Sequence, residues 1–360
     1  MRIIRKMTVC FLILFIQPYL FGCADGFNTA NINLYRKTLS EVQAHSSAAY
    51  FLSTDGTLYC TGADSDSSSY VVYQNQTKGI VAENVNSFGE LVGGGYYIDH
   101  NNNLYIWNRN LLPLYGYTEK KNHMKILEGV KFVSASTYCM IYIDITSNLY
   151  LIGDFDNQEH SIDNPKLLAK NVTCANICDN AIYWATDKGI ICSYGATDTL
   201  ALNKLNDVVK GTTITDIFLT KNYFAVLSDN NLWFYGDYKQ LISGKATSKH
   251  TLIKLTQDIE RVSCSYRTIG AIDSNGNMFI WGRCISNDEK QTNLPKFEYF
   301  EAKSIAKNAK NICVSDSCVS YIDVEGNSQI YYSGGWIDFY GNSTNDLYVG
   351  IKRDPCTWVK

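Results

Sequence analysis

The chain has 360 residues, a formal net charge of −3, 19% charged residues, 13% aromatic residues and five prolines. The negative charge argues against a nucleic-acid-binding protein, because such proteins carry a basic face. The modest charge and the many aromatic residues argue against a disordered chain. The length fits one large all-β domain or two ordinary domains.

Residues 1–22 are predicted to be an export signal, because a basic start precedes a mostly apolar run. The segment ends in Leu20-Phe21-Gly22-Cys23, which resembles the bacterial lipoprotein box. We expect cleavage before Cys23, lipidation of that cysteine and a tether over residues 23–34. The alternative is cleavage after Ala24 and plain secretion. The predicted location is the cell envelope, or the exterior if Cys23 carries no lipid.

A repeat runs through the rest of the chain. Each copy has an alternating strand, a turn of Asp, Asn or Gly residues, and a second strand in which aromatic residues usually precede Gly. The ends of successive copies lie about 45 residues apart, a period typical of propellers and solenoids. The seven copies are residues 51–62, 97–108, 142–153, 184–195, 226–236, 271–282 and 321–334.

Each copy is predicted to be a β-hairpin, because β-branched and aromatic residues suit strands and Asn-Gly or Asp-Gly pairs suit tight turns. An aliphatic stretch before several copies adds a further strand, which makes about four antiparallel strands per repeat. No long 3.6-residue apolar period occurs, so we expect few helices. Another short strand precedes every hairpin, opened by Val42, Val85, Val130, Val172, Ile214, Ile259 and Ala309.

Four strands in each of seven repeats predict an all-β, seven-bladed β-propeller over residues 35–352, with a C-terminal tail at 353–360. A linear solenoid is the alternative, but it would need distinct polar caps. We expect a terminal strand to close the ring. A strand near residues 35–41 would complete the seventh blade, and Asp346–Lys352 is the competing segment.

The hairpins resemble the regulator of chromosome condensation repeat. Met278–Gly282, which follows the turn Asp273–Gly276, is the best copy, and Leu232–Gly236 is followed by Gln240-Leu241 as in that family. The resemblance covers roughly residues 36–345 and implies a seven-bladed propeller whose known members bind proteins. The family's His before the second strand is absent here, so the resemblance implies the fold rather than a shared activity.

Catalytic and metal-binding motifs are absent from the sequence. The histidines at 45, 100, 123, 160 and 250 show no paired ligand spacing, and no phosphate-binding loop occurs. We therefore expect no cofactor and no metal site. Ten cysteines follow Cys23; disulfides and buried free thiols are both open for them.

Acidic residues recur at the hairpin turns, and a residue present in nearly every repeat is predicted to be structural. We expect these side chains to cap the turns rather than to take part in catalysis. They are Asp99, Asp144, Asp187, Asp229, Asp273 and Asp323.

The segments that follow each hairpin differ in composition and should emerge on one face, opposite the turns. Exposed aromatic residues are effective interface anchors, so those in these segments are the predicted partner-binding residues. The alternative is that each packs beneath its own loop. The predicted anchors are Tyr115, Tyr117, Phe155, Tyr238, Trp336 and Tyr340.

The sequence thus favours a monomeric, non-enzymatic module that is displayed at the cell envelope and binds a protein or a glycan. We expect no nucleic-acid partner, and membrane contact only through an N-terminal lipid. One alternative is a hydrolase or lyase with carboxylates of perturbed pKa on one or two blades at the central channel. A structural envelope protein is the other.

Overall fold

The computed structural model describes twelve stretches of the chain. The predicted signal, Cys23, the tether and the C-terminal tail lie outside them. No helix in the described part is long and apolar enough to cross a membrane. The described residues are 39–44, 48–62, 78–91, 94–107, 124–136, 139–155, 157–178, 181–195, 199–285, 297–315, 318–326 and 328–332.

The described strands pair in seven antiparallel sheets, numbered here in chain order. The first and second sheets contain β1 (Leu39–Ala44), β2 (Ala48–Ser53), β3 (Leu58–Gly62), β4 (Lys78–Ala82), β5 (Val85–Leu91), β6 (Gly94–Asp99), β7 (Leu104–Trp107) and β8 (Met124–Leu127). The third and fourth contain β9 (Val130–Ala135), β10 (Cys139–Asp144), β11 (Leu149–Phe155), β12 (Gln158–His160), β13 (Lys166–Ala169), β14 (Val172–Cys178), β15 (Ala181–Thr186) and β16 (Ile191–Tyr194).

The fifth sheet contains β17 (Ile214–Leu219), β18 (Tyr223–Ser228), β19 (Asn231–Gly236) and β20 (Thr251–Thr256). The sixth contains β21 (Ile259–Cys264), β22 (Thr268–Asp273), β23 (Met278–Ile285) and β24 (Phe297–Ala306), and the seventh contains β25 (Ala309–Val314), β26 (Cys318–Asp323) and β27 (Ser328–Tyr332). Strands that are consecutive in the chain are neighbours in every sheet except the third, where β13 also pairs with β11. This arrangement confirms the predicted all-β propeller fold.

Two helices interrupt the pattern within the described residues, α1 (Thr199–Val209) and α2 (Tyr238–Ser243). In the described chain α1 stands where other sheets have a fourth strand. Its buried residues Ala201, Leu205 and Val209 are four apart, so they form one stripe that packs between the fourth and fifth sheets. A fourth strand in the fourth repeat would have required alternating apolar and polar residues, and this segment has no such alternation.

The prediction that a strand near residues 35–41 completes the seventh blade is wrong for residues 39–41, which are the part that the structure describes. Residues 39–41 lie in β1, which pairs with β2 inside the first sheet, with Leu39 opposite Ser53. The reason is burial, since Leu39 and Val42 are fully buried when β1 occupies this position. The competing segment, Asp346–Lys352, lies outside the described residues.

A backbone hydrogen bond links one sheet to the next. In five sheets the first residue of the inner strand (the first strand of each sheet) donates its N–H to a carbonyl in the hairpin turn of the preceding sheet. Leu39 makes the same bond to the turn of the seventh sheet, at Gly326 O, 3.2 Å away. The other bonds are Val85 to Gly56, Val130 to Asn102, Val172 to Ser147, Ile259 to Asn230 and Ala309 to Gly276.

Polar side chains form a second link between inner strands. Asn176 Oδ1 accepts from Leu219 N at 3.1 Å, and Ser263 Oγ accepts from Val314 N at 2.9 Å. The equivalent position in the second sheet is Gly89, and there the Tyr96 hydroxyl occupies the space that a Cβ would fill. It donates to the carbonyl of the next inner strand, so the link is kept by a different residue.

The hydrophobic core lies between adjacent sheets. Both faces of a sheet are covered in this arrangement, which is why β18 is buried at every position instead of alternating. The first apolar residue of the third strand is a fully buried Leu or Met in five sheets, for example Leu104 and Met278, and a buried Ile191 in the fourth. In the seventh sheet this position, paired with Ile322, is held by Ser328.

Where a turn acid is the last residue of the second strand of its sheet, it caps the hairpin turn, as predicted. Asp273 accepts from the backbone N–H groups of Asn275 and Asn277 at 2.9 and 2.8 Å, and from the Asn277 side chain at 2.8 Å. Asp99 and Asp144 make equivalent bonds. Burial opposes ionisation of Asp273, but these hydrogen bonds outweigh it and lower the pKa of the carboxyl.

Two of the acids lie in the turn, as predicted, but one residue later than Asp273 does in its own sheet. Asp187 and Asp229 follow the ends of β15 and β18, so the position that Asp273 holds in the sixth sheet is occupied by Thr186 and Ser228. Thr186 Oγ1 accepts from Ile190 N at 3.3 Å, a weaker version of the same cap. The sequence pattern could not separate the two placements, because both put an acid in the turn.

Asp273→Ala is expected to lower the free energy of unfolding by about 1 kcal/mol, a typical cost of losing a capping side chain. Because the folded state lowers the pKa of Asp273, this stabilisation is present above the ordinary carboxyl pKa of about 4 and is lost as pH falls through the lowered value. Urea unfolding at pH 7 and pH 3 measures it. The exposed neighbour Ser274 gives the control, Ser274→Ala, and equal effects of the two changes would contradict the cap.

Ser328→Ala is expected to raise the free energy of unfolding by about 1 kcal/mol, because the Ser328 hydroxyl is fully buried and has no hydrogen-bond partner among the described residues. The matched control is Ser320→Ala in the same sheet. Ser320 is also fully buried, but its hydroxyl donates to Cys313 O at 3.4 Å. Denaturant unfolding should move in opposite directions for the two variants, and a loss with Ser328→Ala would show that its hydroxyl is paired.

Candidate functional site

The predicted partner-binding residues fall into three groups. Tyr115, Tyr117, Trp336 and Tyr340 lie outside the described residues, so their role stays a prediction. Phe155 is only 3% exposed and packs between the third and fourth sheets, with its ring 5.4 Å from that of Tyr194. Its ring is therefore not available to a partner in this structure.

Tyr238 is the predicted anchor that lies at the surface. It begins α2 and is partly exposed; its hydroxyl donates to Glu301 Oε1 at 2.7 Å, and its ring meets Phe234 edge-on at 5.8 Å. Burial, and then the nearby Glu301 carboxylate, raise the pKa of the phenol. The Tyr238 hydroxyl thus already has a hydrogen-bond partner within the chain. Its partial exposure places it on the surface around α2, which is described below.

The propeller has two regions that differ from sheet to sheet. One is the central axis, which the inner strands surround. The other is the end of the sheets that carries the turn between the first and second strands and the connection after the third strand, here called the loop face. Antiparallel pairing brings these segments to the same end, opposite the hairpin turns.

One position of the inner strands places charged groups near the axis. A register shift after the first residue recurs in every inner strand, so the residue that follows it is equivalent in all seven sheets. These residues differ chemically, which is the asymmetry that a functional site needs. They are Glu41, Ser87, Phe132, Cys174, Asp216, Arg261 and Asn311.

The axial carboxyl groups are stabilised in part by one guanidinium. Burial raises the pKa of Glu41 and of Asp216, whereas Arg261 acts on both in the opposite direction. Gln43 Nε2 also donates to Glu41 Oε1 at 3.0 Å. The two carboxyl groups come from two sheets, the first and the fifth, and their raised pKa values match what the enzyme alternative predicted.

The axial thiol is unreactive. Burial, and then the Asp216 carboxylate, raise the pKa of Cys174 to about 12. A thiol with this pKa stays protonated at neutral pH and is a poor nucleophile. Cys174, Cys192 and Cys264 are free thiols, and Cys174 packs in the core as a small hydrophobic residue.

The second region is a polar cleft on the loop face, between the fifth and sixth sheets. Its volume is about 200 Å³. Four separate segments build it: the turn before β18, helix α2 with its caps, the turn before β22 and the start of β24. The lining residues are Asn222, Tyr223, Asp237, Gln240, Leu241, Gly244, Tyr266, Arg267 and Tyr299.

Both ends of α2 are fixed by capping residues. Asp237 is the N-cap and accepts from Gln240 N at 3.1 Å, while Gly244 ends the helix with φ 71° and donates to Gln240 O at 2.9 Å. A Cβ at Gly244 would also lie 2.6 Å from the Tyr299 hydroxyl, so glycine is required on both counts. Leu241 anchors the helix because it is buried in the core between the two sheets.

Asp237 also holds the loop that follows the helix. Its carboxylate accepts from the Thr247 hydroxyl and from Ser248 N, both at 2.8 Å, and from Thr247 N. Burial opposes its ionisation, but these bonds outweigh that effect and lower its pKa. The carboxylate is therefore occupied by its own chain, and the cleft wall is rigid on this side.

The opposite wall is formed by two turns. Tyr223 OH donates to Thr268 O at 3.0 Å and to Ser265 O, and Asn222 Nδ2 donates to Tyr266 O at 3.2 Å. These bonds tie the turn of the fifth sheet to the turn of the sixth. The Arg267 guanidinium remains exposed and lies 5.3 Å from the Tyr266 ring.

Sequence reasoning found Tyr238 and missed the cleft beside it. The lining residues are scattered over about 80 positions, and only Gln240 and Leu241 belong to a motif that the sequence analysis recognised. A usable signal was present in the charge pattern, because Lys239, Lys245 and Lys249 cluster in one connection of an acidic chain.

Asp216→Asn is expected to stabilise the protein at high pH. A raised folded-state pKa gives stability that is full below the unfolded pKa of about 4 and is lost as pH rises through the folded value. An amide avoids this loss, so Tm should rise by about 2–4 °C at pH 8 and change little at pH 4. Thermal unfolding measures the difference, and Asp207→Asn, an exposed site on α1, is the control. A lower Tm at pH 8 would show that the ionised carboxylate is needed beside Arg261.

Solved structures with a similar fold include three of eukaryotic proteins, two of them of the same yeast protein. Human WBSCR16 is 13% identical with a TM-score of 0.56, over 78% of this chain and 85% of that one. Yeast RCC1 (Prp20) bound to Kap60 is 10% identical with a TM-score of 0.57, over 77% and 78%. Prp20p from Saccharomyces cerevisiae, studied for binding to Gsp1p and histones, is 12% identical with a TM-score of 0.55, over 76% and 80%.

No protein-family model and no curated protein sequence match the chain. At identities this low, structural similarity shows the fold and not the activity. The fold is an RCC1-like β-propeller, as the resemblance of the hairpins to that repeat implied.

Proposed function

We propose that the protein is a non-enzymatic protein-binding module that uses its loop face. The observation that carries this proposal is the cleft between the fifth and sixth sheets, which is polar, fixed by caps on one wall and by cross-sheet hydrogen bonds on the other. A pre-formed surface of this kind loses little entropy on binding. Yeast RCC1, which has a similar fold, was solved in complex with Kap60, so a protein that contains a propeller of this fold can form a protein complex.

We also propose that the seven sheets are the blades of one closed ring. The support is the backbone bond from Leu39 N to Gly326 O, which repeats between the seventh and first sheets the link seen between earlier neighbours. Strand β1 also contacts β25 and β26. A closed ring fixes the relative positions of the loops and so suits a binding face.

Display at the cell envelope through a lipid on Cys23 is part of the same proposal, as is a monomeric state. The leader-like residues 1–22 support export, and Leu20–Cys23 supports lipid attachment. Tyr115, Tyr117, Trp336 and Tyr340 remain proposed anchors on the connections of the second and seventh repeats.

The proposal predicts that a partner can be cross-linked from the cleft. A photoreactive side chain at Gln240 is expected to give a saturable adduct with a protein from envelope or extracellular extracts, because Gln240 lines the cleft. The same group at Lys210 is the matched control, since this exposed residue follows α1 at the hairpin-turn end of the sheets. At least tenfold stronger labelling from position 240 is expected by gel analysis. Equal labelling, or none from either site, would overturn the binding role.

A further inference from the structure

The loop face around the cleft is basic, although the chain as a whole has a net charge of −3. Arg267 lines the cleft, and Lys239 and Lys245 are the immediate chain neighbours of the lining residues Gln240 and Gly244. Lys249 lies in the loop that Asp237 holds against the helix. All four cations are exposed, so the cleft has a positively charged rim.

These cations form no ion pair with an acid of the described residues. Lys125–Glu128 is an ion pair elsewhere, but none of the four rim cations is ion-paired within the described residues. The acids close to the cleft are already engaged. Asp237 accepts bonds from its own loop, and Glu301 accepts from Tyr238.

The cleft is shaped for a side chain rather than for a large ligand. Its volume of about 200 Å³ is below the roughly 300–1,000 Å³ of pockets that hold drug-sized ligands. The rings of Tyr266 and Tyr299 offer apolar surface to methylene groups, and Asn222 and Gln240 offer amides. A carboxylate on a short aliphatic stem satisfies all of these groups together.

We propose that this basic cleft receives an acidic segment of a protein partner and that Arg267 pairs with one of its carboxylates. The inference rests on the proposed binding role and specifies the partner's chemistry. Arg267 is suited to the contact because a guanidinium binds a carboxylate with two parallel hydrogen bonds, and the Tyr266 ring supports it from one side. Lys239, Lys245 and Lys249 act at longer range, by raising the rate of encounter with an acidic chain.

A protein segment fits the surface better than a nucleic acid. Nucleic-acid binding requires a stripe of cations that follows a phosphate backbone, and it is opposed by a negative net charge. Here the rim cations surround a single cleft between two sheets. The recognised group is therefore discrete and charged, as a Glu or Asp side chain is.

The test uses the purified protein and three fluorescent probes: a glutamate dodecamer, a glutamine dodecamer and a twelve-nucleotide single-stranded DNA. Fluorescence anisotropy at 50 and 150 mM NaCl gives Kd. The glutamate probe is expected to bind at least tenfold more tightly than either of the others. Its affinity should fall with salt, because the rim lysines contribute screened, long-range attraction.

Variants separate the roles of the cations. Arg267→Ser is expected to raise the Kd of the glutamate probe at least tenfold, and Arg267→Lys to raise it less. Lys249→Ser should raise that Kd about twofold to threefold and reduce its salt dependence. Lys210→Ser, at the opposite end of the sheets, should change nothing. Equal affinity for the DNA, no binding of the glutamate probe, or equal losses in Arg267→Ser and Lys210→Ser would overturn the proposal.

The experiments distinguish failure of the acidic-segment proposal from failure of the proposed binding role. If Gln240 cross-links a partner and Arg267→Ser leaves that adduct unchanged, the binding module stands and recognition of an acidic segment is overturned. If neither the adduct nor glutamate binding is found, both proposals are overturned.

Discussion

The fold depends on one backbone hydrogen bond, repeated between sheets. Its acceptor is the carbonyl of a turn residue with positive φ, such as Gly56 (81°), Asn102 (62°) or Gly276 (75°), and its donor is the first residue of the next inner strand. The left-handed residue aims its carbonyl out of its own hairpin, towards the neighbouring sheet. In several sheets the Asp cap fixes that turn, so one carboxylate determines both the hairpin geometry and the spacing between sheets.

This constraint explains why so much of the fold could be predicted from the sequence. Residues that adopt positive φ readily, and the acids that cap them, are visible as a period of about 45 residues. What the period could not predict was the content of the connections. Helix α1 arises from Ala201, Leu205 and Val209, three residues in a segment otherwise read as a loop. The prediction of the closing strand was wrong because β1 contacts two sheets. It pairs with β2 in the first sheet, and its first residue also donates a hydrogen bond to the turn of the seventh sheet.

The candidate site was harder to predict for a physical reason. A cleft on a propeller face is built from segments that are close only after the sheets have packed, as Asn222, Arg267 and Tyr299 are. Aromatic content pointed to Tyr238, whose hydroxyl is engaged with Glu301, and to Phe155, which is buried. Many aromatic residues are buried in the core of this fold, as Phe234 and Trp281 are, so the presence of one in a connection is a weak indicator of an interface.

The charged residues distinguish the groups that stabilise the fold from those at the candidate site more clearly than the aromatic residues do. The acids of the hairpin turns recur from sheet to sheet and are consumed by hydrogen bonds within their own turns. The cations around α2 occur once, lie on the opposite end of the sheets and have no carboxylate partner in the described part of the chain. A group that recurs and is hydrogen-bonded within its own turn serves the fold, whereas a local group of exposed, hydrated cations is free to attract a partner of opposite charge. By this criterion the surface between the fifth and sixth sheets is the one that we propose for binding.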